Sequence, residues 1–159
     1  MTVEFTEERF GAAHLALLSG SRDRALEYFV PEFRFLTPGS HPFAGWHEGI
    51  DNVQAFLKRW WSASGGTLKF TSTGLLVNQA AGQLIDVIHV EGKRTDAAAG
   101  SDSPYDVLNF DAVDHFFFDD EGRIVRGQAA MFGEGLLNFN LWWSPIDRDG
   151  RQRDRDWSY

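Results

Sequence analysis

The sequence predicts an α+β domain, with helices packed against one face of a curved β-sheet. Three observations lead there. Apolar residues recur at helical spacing over roughly the first 65 residues and at a spacing of two thereafter. Nothing in the 159 residues marks a linker or an internal repeat, so the length is that of one domain. Hydrophobic residues make up 43% and aromatic residues 14% of the chain, enough for a bulky core.

The elements follow in order. Residues 6–19 place Phe10, Ala13, Leu17 and Leu18 at helical spacing, with acidic residues in the first turn and Gly20 as a stop. A second short helix is expected over 22–29, before Pro31. EFRFLT then alternates as a strand and runs into the turn-rich TPGSHPFAG. From Gly49 the pattern is helical again, with Ile50, Val53, Phe56, Leu57, Trp60 and Trp61 as an apolar stripe that ends at Ser64-Gly65-Gly66. Strands are expected near 67–78, 82–91, 106–118 and 123–133. GKRTDAAAGSDSPYD, between the second and third of these, is longer than a hairpin needs and is a candidate flap. Residues 1–143 form the domain. Residues 144–159 balance four Asp against four Arg without an apolar period and read as a solvated or partner-docked tail, with Trp157 and Tyr159 available for docking.

Composition excludes several functions. A net charge of −8 argues against nucleic acid, whose phosphates need a basic surface. With no cysteine there is no thiol catalysis, disulfide or zinc-thiolate site. The opening MTVEFTEERF has neither the charge nor the apolar run of a signal peptide or membrane span, so a soluble cytoplasmic protein is expected. The histidines (His14, His41, His47, His89, His115) form no i, i+4 pair, and no metal is expected.

One feature breaks the pattern. In VDHFFFDDEG and the residues before it, one strand face reads Phe110, Ala112, Asp114, Phe116, Phe118. In GQLIDVIHVEG one face reads Leu84, Asp86, Ile88, Val90. Each face carries a single carboxylate among apolar residues. A carboxylate in such a place either meets a buried arginine or a partner subunit, or takes up a proton and becomes a hydrogen-bond donor. Two such groups in one apolar space push their titrations apart and provide an acid and a base at one pH. That is the chemistry for moving a proton next to a carbonyl.

Two stretches carry a resemblance: ALLSGSRDRALEYFVPEFRFLTPGSHPFAGWHEGIDNVQAFL and VDHFFFDDEGRIVRGQAAMFGEG. Their order of helix, turn, short helix, strand, Pro-Gly loop and third helix, closed by an Asp-His-Phe run, resembles the nuclear-transport-factor-2-like superfamily. The likeness covers most of residues 8–135 and is nearest to the ketosteroid-isomerase-like and SnoaL-like (polyketide cyclase) branches. It implies a cone-shaped, curved mixed sheet wrapped around about three N-terminal helices, an apolar pocket at the open end, and a homodimer through the outer sheet face. In the isomerases an Asp base faces an oxyanion hole made by a Tyr and a protonated Asp. Asp114 matches the protonated Asp, and Phe116 and Phe56 match pocket positions. At the base position stands Thr37, and at the Tyr position Ala13, so Asp86 or His14 would have to supply the base. PGSHPFAGWHEGIDNVQAFLKRWWSASGGTLKF also resembles SnoaL-like bacterial proteins without an assigned reaction.

The expected function is cofactor-free acid/base chemistry on a small hydrophobic carbonyl compound of polyketide, steroid or terpenoid type: isomerisation, cyclisation or dehydration. Asp114, Asp86 and His14 are the candidate catalytic residues. Phe35, Thr37, Phe56, Trp60, Phe116, Phe118 and Met131 are expected to line the pocket. Two alternatives stand beside it. One is a non-catalytic ligand-binding or assembly module. The other is an epoxide-hydrolase-like site, which needs an Asp-Arg-Asp cluster that Arg126 or Arg94 would complete.

Overall fold

Short polar caps and tight turns set out the elements in the computed structural model, which describes residues 4–153. Thr6 accepts a hydrogen bond from the Arg9 amide and opens α1 (Glu7–Leu18), with Glu7 and Glu8 at the positive end of its dipole. Ser21 caps α2 (Arg22–Ala25) through the Arg24 amide. This helix is shorter than the expected 22–29, because Phe29 is drawn into the sheet: it starts β1 (Phe29–Thr37), where Phe29 and Phe33 fill the core.

β2 (Gly45–Glu48) runs antiparallel to β1 and starts at the last residue of the turn-rich stretch, where the sequence suggested no strand. Four residues with no β-branched side chain give little sequence signal for a strand. In α3 (Ile50–Ala63), Ile50, Val53, Phe56 and Trp60 are buried. Trp61, assigned to the same stripe, is instead 53% exposed, since each residue turns the helix by ~100° and carries it off the buried face.

β3 (Lys69–Asn78), β4 (Gln83–Lys93), β5 (Val107–Phe118) and β6 (Ile124–Met131) complete a six-stranded sheet in the order β2-β1-β6-β5-β4-β3. Only the β1–β6 pairing is parallel, and the sheet is curved and unclosed. Register shifts in β1, β3 and β6 accompany that curvature, since an extra residue bends a strand.

A fourth helix, α4 (Gly133–Trp142), packs on β5 and was not expected from the sequence. It opens with two glycines, has no side-chain cap, and carries apolar residues on most sides, so no helical stripe stands out. Burial holds it in place: Phe139 and Trp142 are fully enclosed, each worth ~1.5–3 kcal/mol.

Two apolar clusters make the core. One, at the α1 end, gathers Phe5, Phe10, Phe29, Phe33, Leu84, Phe116 and Phe118. The other joins α3 and α4 through Phe43, Phe56, Trp60, Phe139, Trp142 and Trp143. His41 locks the Pro-Gly loop over this second cluster, with Nε2 3.1 Å from the Pro38 carbonyl and Nδ1 accepting from the Phe43 amide. Burial pushes its pKa down to about 4, so the ring is neutral.

The candidate flap is tied down. Arg153, with a side chain only 2% exposed, reaches Asp96, Asp106 and the Tyr105 carbonyl. Arg94 binds Asp96 and the Trp142 carbonyl. The stretch 144–153 therefore folds back onto loop 94–106, a correction to the solvated-tail reading. Its buried guanidinium needed carboxylates that the sequence leaves far away. Trp157 and Tyr159 lie outside the described residues.

Candidate active site

Strand alternation on β5 turns Ala112, Asp114 and Phe116 toward the helices, and β4 turns Ile88 and Val90 the same way. α1 contributes Phe10, His14 and Leu17, α3 contributes Phe56, Leu57 and Trp60, and α4 closes the space with Phe139. Between them lies a cavity with about 70 Å³ for the centres of water-sized molecules. Its lining is apolar apart from a few groups, chiefly the Asp114 carboxyl, the His14 imidazole and the Thr37 hydroxyl.

Two of these groups are set against their surroundings. Asp114 is half-buried, and its carboxyl opens on the apolar cavity among protein atoms. Burial, reinforced by the neighbouring Asp86, pushes its pKa up to about 8, so it is a neutral carboxylic acid at pH 7. His14 has the opposite sign of shift: burial lowers its pKa, and the ring is neutral at pH 7. Among the described residues its ring contacts are Phe10 and Phe70, each with centroids 6.0 Å away. No hydrogen-bond partner meets either side chain among the described residues. The Thr37 Oγ1 is likewise buried without a partner.

Asp86 stands directly across from Asp114 in the β4–β5 ladder. Opposed residues have Cβ atoms ~5 Å apart, close enough for each to oppose ionisation of the other. Asp86 is 1% exposed, accepts a hydrogen bond at Oδ1 from the Ser72 hydroxyl, and leaves Oδ2 buried and unpartnered. Burial raises its pKa, and the Ser72 bond works against that rise.

Eight of the ten residues singled out in the sequence line the cavity: His14, Phe35, Thr37, Phe56, Trp60, Asp114, Phe116 and Met131. The wall therefore holds all but Phe118 and Asp86 of the set. Phe118 stacks on Phe5 with centroids 4.7 Å apart, because the cavity stops short of that end of β5. Asp86 lies beside Asp114 on the same sheet face but is not among the residues that line the cavity, so His14 is the titratable group that shares the cavity with Asp114. The arginines weighed for an Asp-Arg-Asp cluster lie elsewhere. Arg126 covers Phe117 at 3.9 Å, on the strand face opposite Asp114, and Arg94 is held by Asp96. Sequence reasoning missed Phe70 and Phe139, which line the cavity from β3 and the unexpected α4. Among the described residues, no three His, Asp or Glu side chains gather into a metal-holding group.

An unclosed, curved mixed sheet around an apolar cavity is the architecture of the nuclear-transport-factor-2-like (NTF2-like) superfamily, and the comparisons agree. Bal32a, from a soil-derived mobile gene cassette, superposes with a TM-score of 0.71 at 23% identity, covering 86% of this chain and 95% of that one. An NTF2-like protein from Burkholderia xenovorans LB400 gives 0.60 at 12% identity, over 82% and 92% of the two chains. SalBIII, an epoxide hydrolase/cyclase-like enzyme with a role in pyran ring formation in the polyether salinomycin, gives 0.60 at 15%, over 81% and 92%. The chain has the NTF2-like fold. No protein-family profile matches it. An uncharacterized protein of Mycobacterium tuberculosis is 33% identical over 79 residues, half of this chain and 60% of that protein, and a Mycobacterium bovis protein matches equally. No described helix is long and apolar enough to cross a membrane.

Proposed function

We propose that the protein is a cofactor-free acid/base enzyme acting on a small, largely apolar carbonyl compound, with Asp114 as hydrogen-bond donor to the carbonyl oxygen and His14 as base. The observation that carries this reading is one apolar cavity lined by a carboxyl without a cation and an imidazole without a hydrogen-bond partner.

Neutral His14 takes a proton from the carbon next to the carbonyl. The C–H electron pair moves into the carbonyl, and its oxygen becomes an enolate oxygen. Asp114, kept protonated, donates a hydrogen bond to that oxygen, and the free Thr37 hydroxyl is a second donor within the same wall. The imidazolium then returns its proton to another carbon, which completes an isomerisation, or to a departing hydroxyl, which completes a dehydration. The apolar wall excludes water and strengthens each of these interactions. Epoxide opening is less well supported, because no arginine among the described residues lines the cavity.

2-Tetralone in deuterated water tests the reading, with exchange of its α-hydrogens followed by NMR. The chain is expected to accelerate exchange, and His14→Gln to remove the acceleration. A binding module without turnover is favoured by one observation, the small and almost wholly apolar cavity. Binding of 2-tetralone with no acceleration would establish that reading instead. The β5 face opposite Asp114, with Val113 and Phe117 half-buried, is the proposed homodimer contact.

A further inference from the structure

The cavity shares a wall with a groove at the surface. Leu17, Leu18, Leu57 and Phe70 line the cavity and also line this broad groove, bounded by the end of α1, the outer side of α3 and the start of β3. Leu18 shows this double position directly: it lines the cavity and is nonetheless 41% exposed. Phe70 stands at the junction, edge-on to Trp60 at 5.2 Å and 6.0 Å from His14. It belongs to β3, which is an edge strand.

Size decides how the two spaces divide a ligand. Measured alike, the groove offers about 940 Å³ and the cavity about 70 Å³. The inner space has room for a carbonyl head next to Asp114 and His14, and the groove on the other side of Phe70 is the adjoining room for the rest of a larger molecule.

Charge decides what that remainder carries. Arg22, Lys58 and Lys69 line the groove, against one acidic residue, Asp51. Arg22 is bonded to Asp51 at 3.1 Å, and Lys69 lies 3.8 Å from Glu91. Lys58 has no ion partner among the described residues. It is one turn from Trp61 on α3, so a cation and a 53% exposed indole share one patch. On a chain of net charge −8, this groove therefore offers, among the described residues, one unpaired cation to an anionic group.

We propose that this groove is the outer half of the ligand site and receives a carboxylate carried by the ligand, with Lys58 as its counter-ion and Trp61 and Leu18 as apolar walls. The substrate class is then an apolar carbonyl compound with a carboxylate tail. The proposal rests on the reading of the cavity given above and narrows it.

A matched pair of probes tests it: 4-(4-acetylphenyl)butanoic acid and its primary amide, titrated calorimetrically into the full chain at pH 7. An exposed ion pair of up to ~1 kcal/mol makes the acid bind about fivefold tighter. Lys58→Gln is expected to bring the two probes to equal affinity, Lys58→Arg to keep the preference, and added salt to weaken it. Equal affinities in the unaltered chain, or a preference untouched by Lys58→Gln, overturn the carboxylate site and leave the cavity reading standing. Binding of neither probe overturns both.

Discussion

Two regions of this molecule bury charged groups, and they do so in opposite ways. Where loop 94–106 meets residues 144–153, two arginines face two aspartates. Arg153 bridges Asp96 at 2.8 Å and Asp106 at 3.5 Å, and Arg94 holds Asp96 at 2.7 Å. Burial alone would raise the Asp96 pKa, but the bonds from Arg94 and Arg153 bring it below the usual carboxylate range. In the cavity, Asp114 has no cation and only another aspartate across the ladder, and its pKa moves up to about 8. The first arrangement pairs its opposite charges within the protein and fastens two segments together. The second is left incomplete by the protein, and in the proposed reaction a ligand oxygen completes it. Compensation, more than burial, separates a structural charge from a reactive one.

The largest effect expected from breaking this contrast is on reactivity. Asp114→Ala removes the donor and should lower 2-tetralone exchange by about 10²- to 10⁴-fold while circular dichroism stays unchanged. On the other side, Arg153→Met leaves Asp106 buried without its guanidinium. A stability loss of about 3 kcal/mol is expected in urea unfolding, the low end for a broken buried pair because Asp96 is 41% exposed. An unchanged midpoint would mean that this cluster fastens nothing.

The next effect depends on pH. An aspartate raised from 3.8 to about 8 takes up a proton on folding, so its contribution to stability falls as pH climbs through that window. Asp114→Asn cancels the fall. It should stabilise the chain at pH 8 relative to pH 5 by about 2–4 kcal/mol, a range discounted for solvent reaching the carboxyl through the cavity. His41 acts in the other direction: lowered from 6.5 to about 4, it contributes stability that is lost as pH falls through that range. Differential scanning calorimetry across pH 4–9 reads both effects.

The smallest effect concerns the cavity wall. Gly127 on β6 lets Phe35 and Phe116 approach the backbone, and a Cβ there would come within 2.6 Å of Phe35 and 2.7 Å of Phe116. Gly127→Ala should cost about 1–3 kcal/mol and narrow the cavity, read as weaker 2-tetralone binding.

Much of this was legible in the chain. Period-two alternation located β5 and put Asp114 on its inner face, and helical spacing located α1 with His14 and α3 with Phe56 and Trp60. Register was not legible. Asp86 opposes Asp114 only because β4 and β5 pair as they do, and nothing local in the sequence says that the cavity is lined by Asp114 and not by Asp86. Phe118 shares a face with Asp114 yet packs on Phe5, because a face does not say where along it the cavity ends. α4 escaped notice for want of a cap and a stripe. The fastening of Arg153 to Asp96 and Asp106 joins residues 57 and 47 positions apart, with no local pattern to announce it.

The central claim is that Asp114 is a carboxylic acid at neutral pH. It is tested most directly by following the ¹³Cγ shift of Asp114 through a pH titration of the full chain, assigned with the Asp114→Asn variant. The account predicts a protonated carboxyl at pH 7 that titrates near 8. A carboxyl that is already ionised at pH 5, near the ordinary value of 3.8, would contradict it.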